Sequence, residues 1–315
     1  MYTRLTTHGL LFFPDYAVPL QGLRVFYGGC GTGKSAIVTA FSLLNAISQR
    51  SLGDWIAARG NASALFHQGP AFTPEITLTV ERDREQYQCI LRQHPDNPNI
   101  LILKREQLVI REKGEENQFE TIEVRTGDTE SIFGVPVEES DEPVYPIMAA
   151  MSCWWVGHVS PHAIRNPGAH DTGRNLFPTG RNLMPFLISL SERDPAAFSR
   201  LSAAVASVCP GFTAFVIVSG ESGPVLMYES PDRPVLIPFS YFSDGMLRFI
   251  CYAALLVAPD LQECVVIDDL ETGLDEPQLI QLLRLAAAAA NRTGVLITTR
   301  SAVVAAWAGA ETVRL

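Results

Sequence analysis

The chain has 315 residues, 47% of them apolar and 18% charged, with a net charge of −10. That length admits one large domain or two small ones and buries roughly three quarters of the unfolded surface, so a core forms without disulfides or a structural metal. The acidic balance excludes a broad basic face for nucleic acid, although Arg165, Arg174 and Arg181 could form a local patch or stand as solvated surface arginines.

Residues 1–22 predict a strand and a turn. Residues 23–27 predict a short buried strand, and residues 36–49 a helix with Ile37, Val38, Phe41, Leu44 and Ile47 along one side. Between them, Gly28-Gly29-Cys30-Gly31-Thr32-Gly33-Lys34-Ser35 fits the phosphate-loop pattern G-x-x-x-x-G-K-[ST] at every position. Glycines let the backbone curl with its N–H groups inward, and the following helix adds the positive end of its dipole. Gly28, Gly29, Cys30, Gly31, Thr32 and Gly33 would therefore cradle phosphate. Lys34 would reach the β- and γ-phosphates, and the Ser35 hydroxyl would bind Mg²⁺.

Residues 51–70 carry Ala and Gly. Strand-like runs follow at 76–80, 87–92, 100–104 and 108–111, a meander of antiparallel type. Residues 112–145 read as acidic loop, with Glu115-Glu116 and Glu138-Glu139-Ser140-Asp141-Glu142 as mobile surface. Residues 147–208 read as helical, with amphipathic helices at 183–190 and 195–208. Runs at 212–218 and 225–228 flank a hairpin signal at Ser219-Gly220-Glu221-Ser222-Gly223-Pro224. A helix (246–258), a strand (264–268), a helix (276–290) and a strand (294–298) complete an α/β unit.

Six cysteines, none in a C-x-x-C pair, read as reduced usage without a zinc site. No signal peptide is visible, and the longest apolar run is too short for a bilayer, so a cytoplasmic location is expected. His158 and His162 are spaced i, i+4, but Pro161 between them argues against metal ligation. Trp154-Trp155 reads as packing rather than a base-stacking platform.

The strand Val265-Val266-Ile267 ends in Asp268-Asp269. An acid in this place holds Mg²⁺ in phosphate-loop enzymes, which assigns Asp268 to the metal. Asp269 would face the attacking water or, alternatively, cap the following turn. Phe242-Ser243-Asp244-Gly245 precedes a helix and by itself is an ordinary turn. Some twenty residues before an acid-ended strand, it resembles the signature loop of ABC-type ATPases.

The ordered set of phosphate loop, Ser243-Asp244-Gly245, acid-ended strand and Gly273-Leu274-Asp275 resembles the ABC-type ATPases that include RecF and SMC heads, and most nearly the small RecF-like ATPases of bacteria. The likeness also takes in Gly157-His158-Val159-Ser160-Pro161-His162-Ala163-Ile164-Arg165 and Gly180-Arg181-Asn182-Leu183. It implies an α/β P-loop NTPase of ABC-ATPase head type, with a central mostly parallel sheet, an antiparallel β meander and a helical lobe. Within one domain, residues 1–70 and 235–315 would be the nucleotide-binding core, 71–125 the β subdomain and 145–210 the helical lobe. The resemblance further implies ATP and Mg²⁺ as ligands, sandwiched in a homodimer or larger oligomer. Ser243, Asp244 and Gly245 of one copy would complete the site of the other. Such a switch would serve DNA maintenance or anti-phage defence with a separate effector protein or DNA, and with no membrane partner. The chain ends just after its last predicted strand, so the effector is expected to be another molecule.

Two departures from the family pattern bear on hydrolysis. Asp269 stands where Glu is usual, and Arg300, in Thr298-Thr299-Arg300-Ser301, where His is usual. Asp269 is one methylene short for placing water, and Arg300 cannot act as a base but can stabilise charge on a γ-phosphate. ATP hydrolysis would be slow, or ATP would hold a scaffold together without turnover. A transporter motor is a third reading, weakened by the want of a clear Gln loop. Gln68 is the candidate Gln toward Mg²⁺ and the γ-phosphate, or a plain loop residue.

Overall fold

In the computed structural model, residues 1–111, 119–125, 127–135, 144–168, 173–220 and 223–315 are described. The chain opens with a hairpin, β1 (Tyr2–Leu10) and β2 (Phe13–Pro19), followed by β3 (Leu23–Tyr27), α1 (Lys34–Ser48) and α2 (Leu52–Ala57). Then come β4 (Ile76–Arg82), β5 (Glu85–His94), β6 (Asn97–Arg111) and β7 (Phe119–Val124). The middle third holds α3 (Pro146–Ser152), β8 (Trp155–Gly157), α4 (Pro161–Arg165), α5 (Leu183–Arg193) and α6 (Pro195–Val208). The last third holds β9 (Ala214–Gly220), β10 (Gly223–Ser230), β11 (Arg233–Pro238), α7 (Asp244–Val257), β12 (Cys264–Ile267), α8 (Glu276–Ala289), β13 (Gly294–Thr299), α9 (Ala302–Ala308) and β14 (Thr312–Arg314).

Among the described residues these strands make three sheets. The central one is five-stranded and parallel, in the order β14-β3-β13-β12-β8. β12 and β13, in its middle, are buried on both faces, which is why Cys264–Ile267 and Val295–Ile297 read as unbroken apolar runs. Alternation still sorts their side chains. Val265 and Ile267 join the cluster built with α5, α6, α7 and α8, while Cys264 and Val266 join the one built with α1 and the antiparallel sheet. Ile37, Phe41, Leu44 and Ile47 of α1 are 3% exposed or less. Burial of each contributes roughly 1.5–3 kcal/mol.

The antiparallel sheet is six-stranded, in the order β2-β1-β4-β5-β6-β7. The initial strand and turn expected over 1–22 is a full hairpin, and β1 pairs with β4, so residues 2–19 share a sheet with residues 76–124. Runs expected separately at 100–104 and 108–111 are one strand, β6. The polar residues Arg105-Glu106-Gln107 do not break it, because Glu106 points inward and accepts hydrogen bonds from Tyr87 Oη (2.6 Å), Ser131 Oγ (2.5 Å) and the Ile132 amide (3.1 Å). Burial pushes the Glu106 carboxyl above its ordinary value.

β7 lies in a segment expected to be loop, and β8 interrupts one expected to be helical. Three residues are too few to show a period, and β8 exists by its ladder with β12. β11, α9 and β14 are further elements the sequence pattern did not mark. The acidic runs Glu115-Glu116 and Glu138-Glu139-Ser140-Asp141-Glu142 lie outside the described residues, as do Glu221 and Ser222 in the hairpin between β9 and β10. Trp154 and Trp155 are buried, Trp154 edge-on to Tyr2 and Trp155 edge-on to Tyr252, in keeping with packing.

Candidate nucleotide-binding site

The parallel register carries the C-terminal ends of four strands to one edge of the central sheet. Tyr27 of β3 pairs with Thr299 of β13, Ile267 of β12 with Ile297 of β13, and Gly157 of β8 with Ile267. The residues just beyond these ends are Gly28, Arg300, Asp268 and His158. Ligands of open parallel sheets bind along this edge.

The phosphate loop follows β3. Gly31 and Gly33 have φ of +77° and +103°, a region that side chains with a Cβ rarely adopt. At Gly33 a Cβ would also stand 2.4 Å from the Phe13 ring. α1 begins at Lys34 with no side-chain cap and no acidic residue in its first turn, so its positive end is left to an anion. Lys34 is buried, and its Nζ donates to the carbonyl oxygens of Gly28 (2.7 Å) and Gly29 (2.6 Å). Thr32 Oγ1 donates to Gly29 O (3.1 Å), and Ser35 is exposed. Cys30 is an exposed free thiol.

Asp268 and Asp269 are organised by one hydroxyl. Thr298 Oγ1 donates to Asp268 Oδ1 (2.5 Å) and accepts from the Asp269 amide (2.8 Å). Asp269 is held at φ +44°. Burial and the charge of Asp268 push its carboxyl above the ordinary value, against the pull of Arg300. Arg300 Nη2 lies 3.6 Å from Asp269 Oδ2, and its Nη1 lies 3.5 Å from Cys30 Sγ in the phosphate loop. Glu271, which sequence reasoning did not single out, holds this corner. Its Oε1 accepts from the Arg300 amide (2.7 Å) and its Oε2 from Thr299 Oγ1 (2.6 Å). Its position two residues after Asp269 was the available signal.

A cavity of about 770 Å³ opens beside the loop. Gly31, Gly33, Lys34, Ser35, Phe12 and Gln68 are among its lining residues. Gln68 therefore shares a wall with Ser35, in the left-handed region at φ +57°. Asp268, Asp269 and Arg300 are not among the lining residues of this cavity.

The Ser243 loop is elsewhere. Ser243 is exposed, and its Oγ caps α7 by accepting from the Met246 amide (3.2 Å). Asp244 accepts from Arg165 Nη1 (2.6 Å). A Cβ on Gly245 would stand 2.3 Å from the Gly273 carbonyl oxygen, so this loop and Gly273-Leu274-Asp275 lie back to back. Asp275 also caps α8 in a reciprocal capping box with Gln278. None of Ser243, Asp244 and Gly245 lines the cavity beside Lys34. Of the three arginines read as a local patch or as solvated surface residues, Arg165 has its guanidinium engaged by the Ser243 loop.

Residues 171–306 match the family model described as "AAA domain, putative AbiEii toxin, Type IV TA system". A structure of an SMC head bound to the C-winged helix domain of ScpA aligns with 97% of this chain and 91% of its own, at 12% identity and a TM-score of 0.54. Two further SMC heads align over the same shares. One is from Thermotoga maritima (12% identity, TM-score 0.46); the other is bound to the C-terminal domain of ScpA derived from Pyrococcus furiosus (9%, 0.49). A search of curated proteins returns no match. By fold the chain is an α/β P-loop NTPase of the ABC-ATPase head type. Residues 171–306 are similar to an AAA domain, and the fold as a whole is similar to that of an SMC head. Among the described residues no helix is long and apolar enough to cross a membrane.

Proposed function

We propose that this chain is an ATP-dependent molecular switch whose two copies close head to tail on two Mg²⁺-ATP and reopen on slow hydrolysis. One observation carries the reading. Arg300 links the phosphate loop at Cys30 to the acid at Asp269, while the exposed Ser243 loop stands outside the cavity beside Lys34. A site with its own loop and acids, and a separate exposed helix N-terminus, is what a second copy would complete.

In this reading the amides of Gly28, Gly29, Cys30, Gly31, Thr32 and Gly33 hold phosphate, and Lys34 leaves its two carbonyl partners for the β- and γ-oxygens. The residues fit Mg²⁺, because the Ser35 hydroxyl and the Asp268 carboxylate are hard oxygen donors, with Gln68 on the same wall as Ser35. The ion would neutralise charge on the phosphate oxygens. Asp269 orients water, Arg300 stabilises charge on the γ-phosphate, and Ser243 and Gly245 approach that phosphate from the facing copy, with Asp244 holding their loop. A cytoplasmic role in DNA maintenance or anti-phage defence, with a separate effector protein or DNA, follows from the family likeness. The family description, which names a putative toxin of a toxin–antitoxin system, supports the defence side.

Sedimentation with and without Mg²⁺-ATP tests the switch. ATP is expected to double the mass, most stably in Asp269→Asn, and Lys34→Ala is expected to stay monomeric. No association in any variant would remove the reading. The contact of Arg300 with Asp269 favours a second one, a nucleotide-bound scaffold without turnover. Phosphate release no faster than that of Lys34→Ala would select it.

A further inference from the structure

We propose that residues 158–165 are a strap that sets the Ser243 loop against the acid end of β12, with Arg165 as its positioning residue. The part this plays for a facing copy's nucleotide rests on the head-to-tail reading above.

The strap is anchored at both ends and along its length. At its start, the Asp268 amide donates to Gly157 O (3.2 Å), and His158 Nδ1 lies 3.3 Å from Asp268 O. In its middle, the Val159 amide meets Tyr252 Oη of α7 (3.4 Å), and the Ser160 amide donates to Thr179 O (3.0 Å). Ser160 Oγ then caps α4, with Pro161 in its first turn. Ile164 is buried where a Cβ on Gly180 would touch both it and Cys251 of α7. That contact explains the glycine of Gly180-Arg181-Asn182-Leu183.

At its end, one guanidinium grips the loop on both sides of Ser243. Arg165 Nη2 donates to Phe242 O (2.8 Å), Nη1 to Asp244 Oδ1 (2.6 Å) and Nε to Ser240 O (3.2 Å). A planar fork with fixed donors makes these bonds together; a lysine ammonium on a flexible stem does not. The residue flanked by these bonds is the one whose hydroxyl must meet a phosphate on another molecule. A misplacement near 1 Å there costs on the order of 10²-fold. The strap thus ties the acid of a chain's own site to the loop it offers its neighbour.

The test uses Arg165→Ala and Arg165→Lys in the full chain. Binding of a fluorescent ATP analogue by the monomer is expected to stay within about twofold of wild type, since Lys34 and its loop are untouched. ATP-driven association is expected to weaken by roughly 10- to 100-fold, with Lys a poor rescue. Mixing Arg165→Ala with Lys34→Ala is expected to give stronger association than either shows alone, because one composite site then has an intact loop from each chain. Hydrogen exchange is expected to quicken over residues 240–247 and to stay unchanged over β12. Wild-type association by Arg165→Ala, or equal loss of analogue binding and association, would overturn the strap. If wild type itself fails to associate with ATP, the switch reading falls separately. Exchange then decides the strap, and unchanged protection over 240–247 in Arg165→Ala sinks it.

Discussion

The guanidinium of Arg300 stands 3.6 Å from the carboxylate of Asp269, and its other amino group reaches Cys30 in the phosphate loop. The two residues at which the sequence departs from the pattern it resembles are therefore neighbours. An acid one methylene short is met by a fixed cation, so the pair is a joint feature of the site.

If Asp269 orients water as proposed, Asp269→Glu lengthens that acid by one methylene. Phosphate release at saturating ATP is expected to rise about tenfold or more, read in a coupled phosphate assay. Arg300→Ala removes the cation that pulls the Asp269 carboxyl down against burial and Asp268. Ionised Asp269 then requires higher pH, so the alkaline shift of the pH–rate profile is the readout; an unmoved profile would detach Arg300 from this acid.

Gly245→Ala would drive a Cβ to 2.3 Å from a backbone oxygen, that of Gly273. The loop must move away from Gly273-Leu274-Asp275, at a cost of about 1–3 kcal/mol in urea denaturation. Gly211→Ala, where a Cβ meets nothing within 4 Å and φ is not positive, is expected to change stability by no more than about 0.5 kcal/mol.

Glu106 is buried inside the antiparallel sheet with Tyr87, Ser131 and Cys89 about it, and its carboxyl is pushed up chiefly by burial. A raised folded-state pKa gives stability that is full below the unfolded value and is lost as pH rises through the folded one. Melting temperature is expected to fall as pH rises above the ordinary carboxylate range more steeply in wild type than in Glu106→Gln. Equal slopes would show that Glu106 is ionised throughout.

Arg82 of β4 forks onto Glu263 at the entry to β12, with Nε–Oε2 of 2.9 Å and Nη2–Oε1 of 2.7 Å. The hydrogen bonds from Arg82 hold the Glu263 carboxyl below its ordinary value. That stability is present above the unfolded value and is lost as pH falls through the folded one. Arg82→Lys is expected to cost about 1 kcal/mol at neutral pH, since the pair is part-exposed. Denaturation curves of the two proteins are expected to converge below about pH 4.

Sequence alone determined the phosphate-loop motif with its flanking strand and helix, the apolar strand ending in Asp268-Asp269, and the helices over 195–208 and 276–290. These depend on neighbours within one or two turns, so residue type and period carry them. Tertiary structure decided what joins distant segments: β8 as an edge of the parallel sheet, Glu106 inside a strand, Arg165 on the Ser243 loop, and Arg300 between Cys30 and Asp269. A three-residue strand owes its existence to the ladder beside it. A buried acid or a shared arginine owes its place to partners across the fold, and no local pattern records which partner that will be.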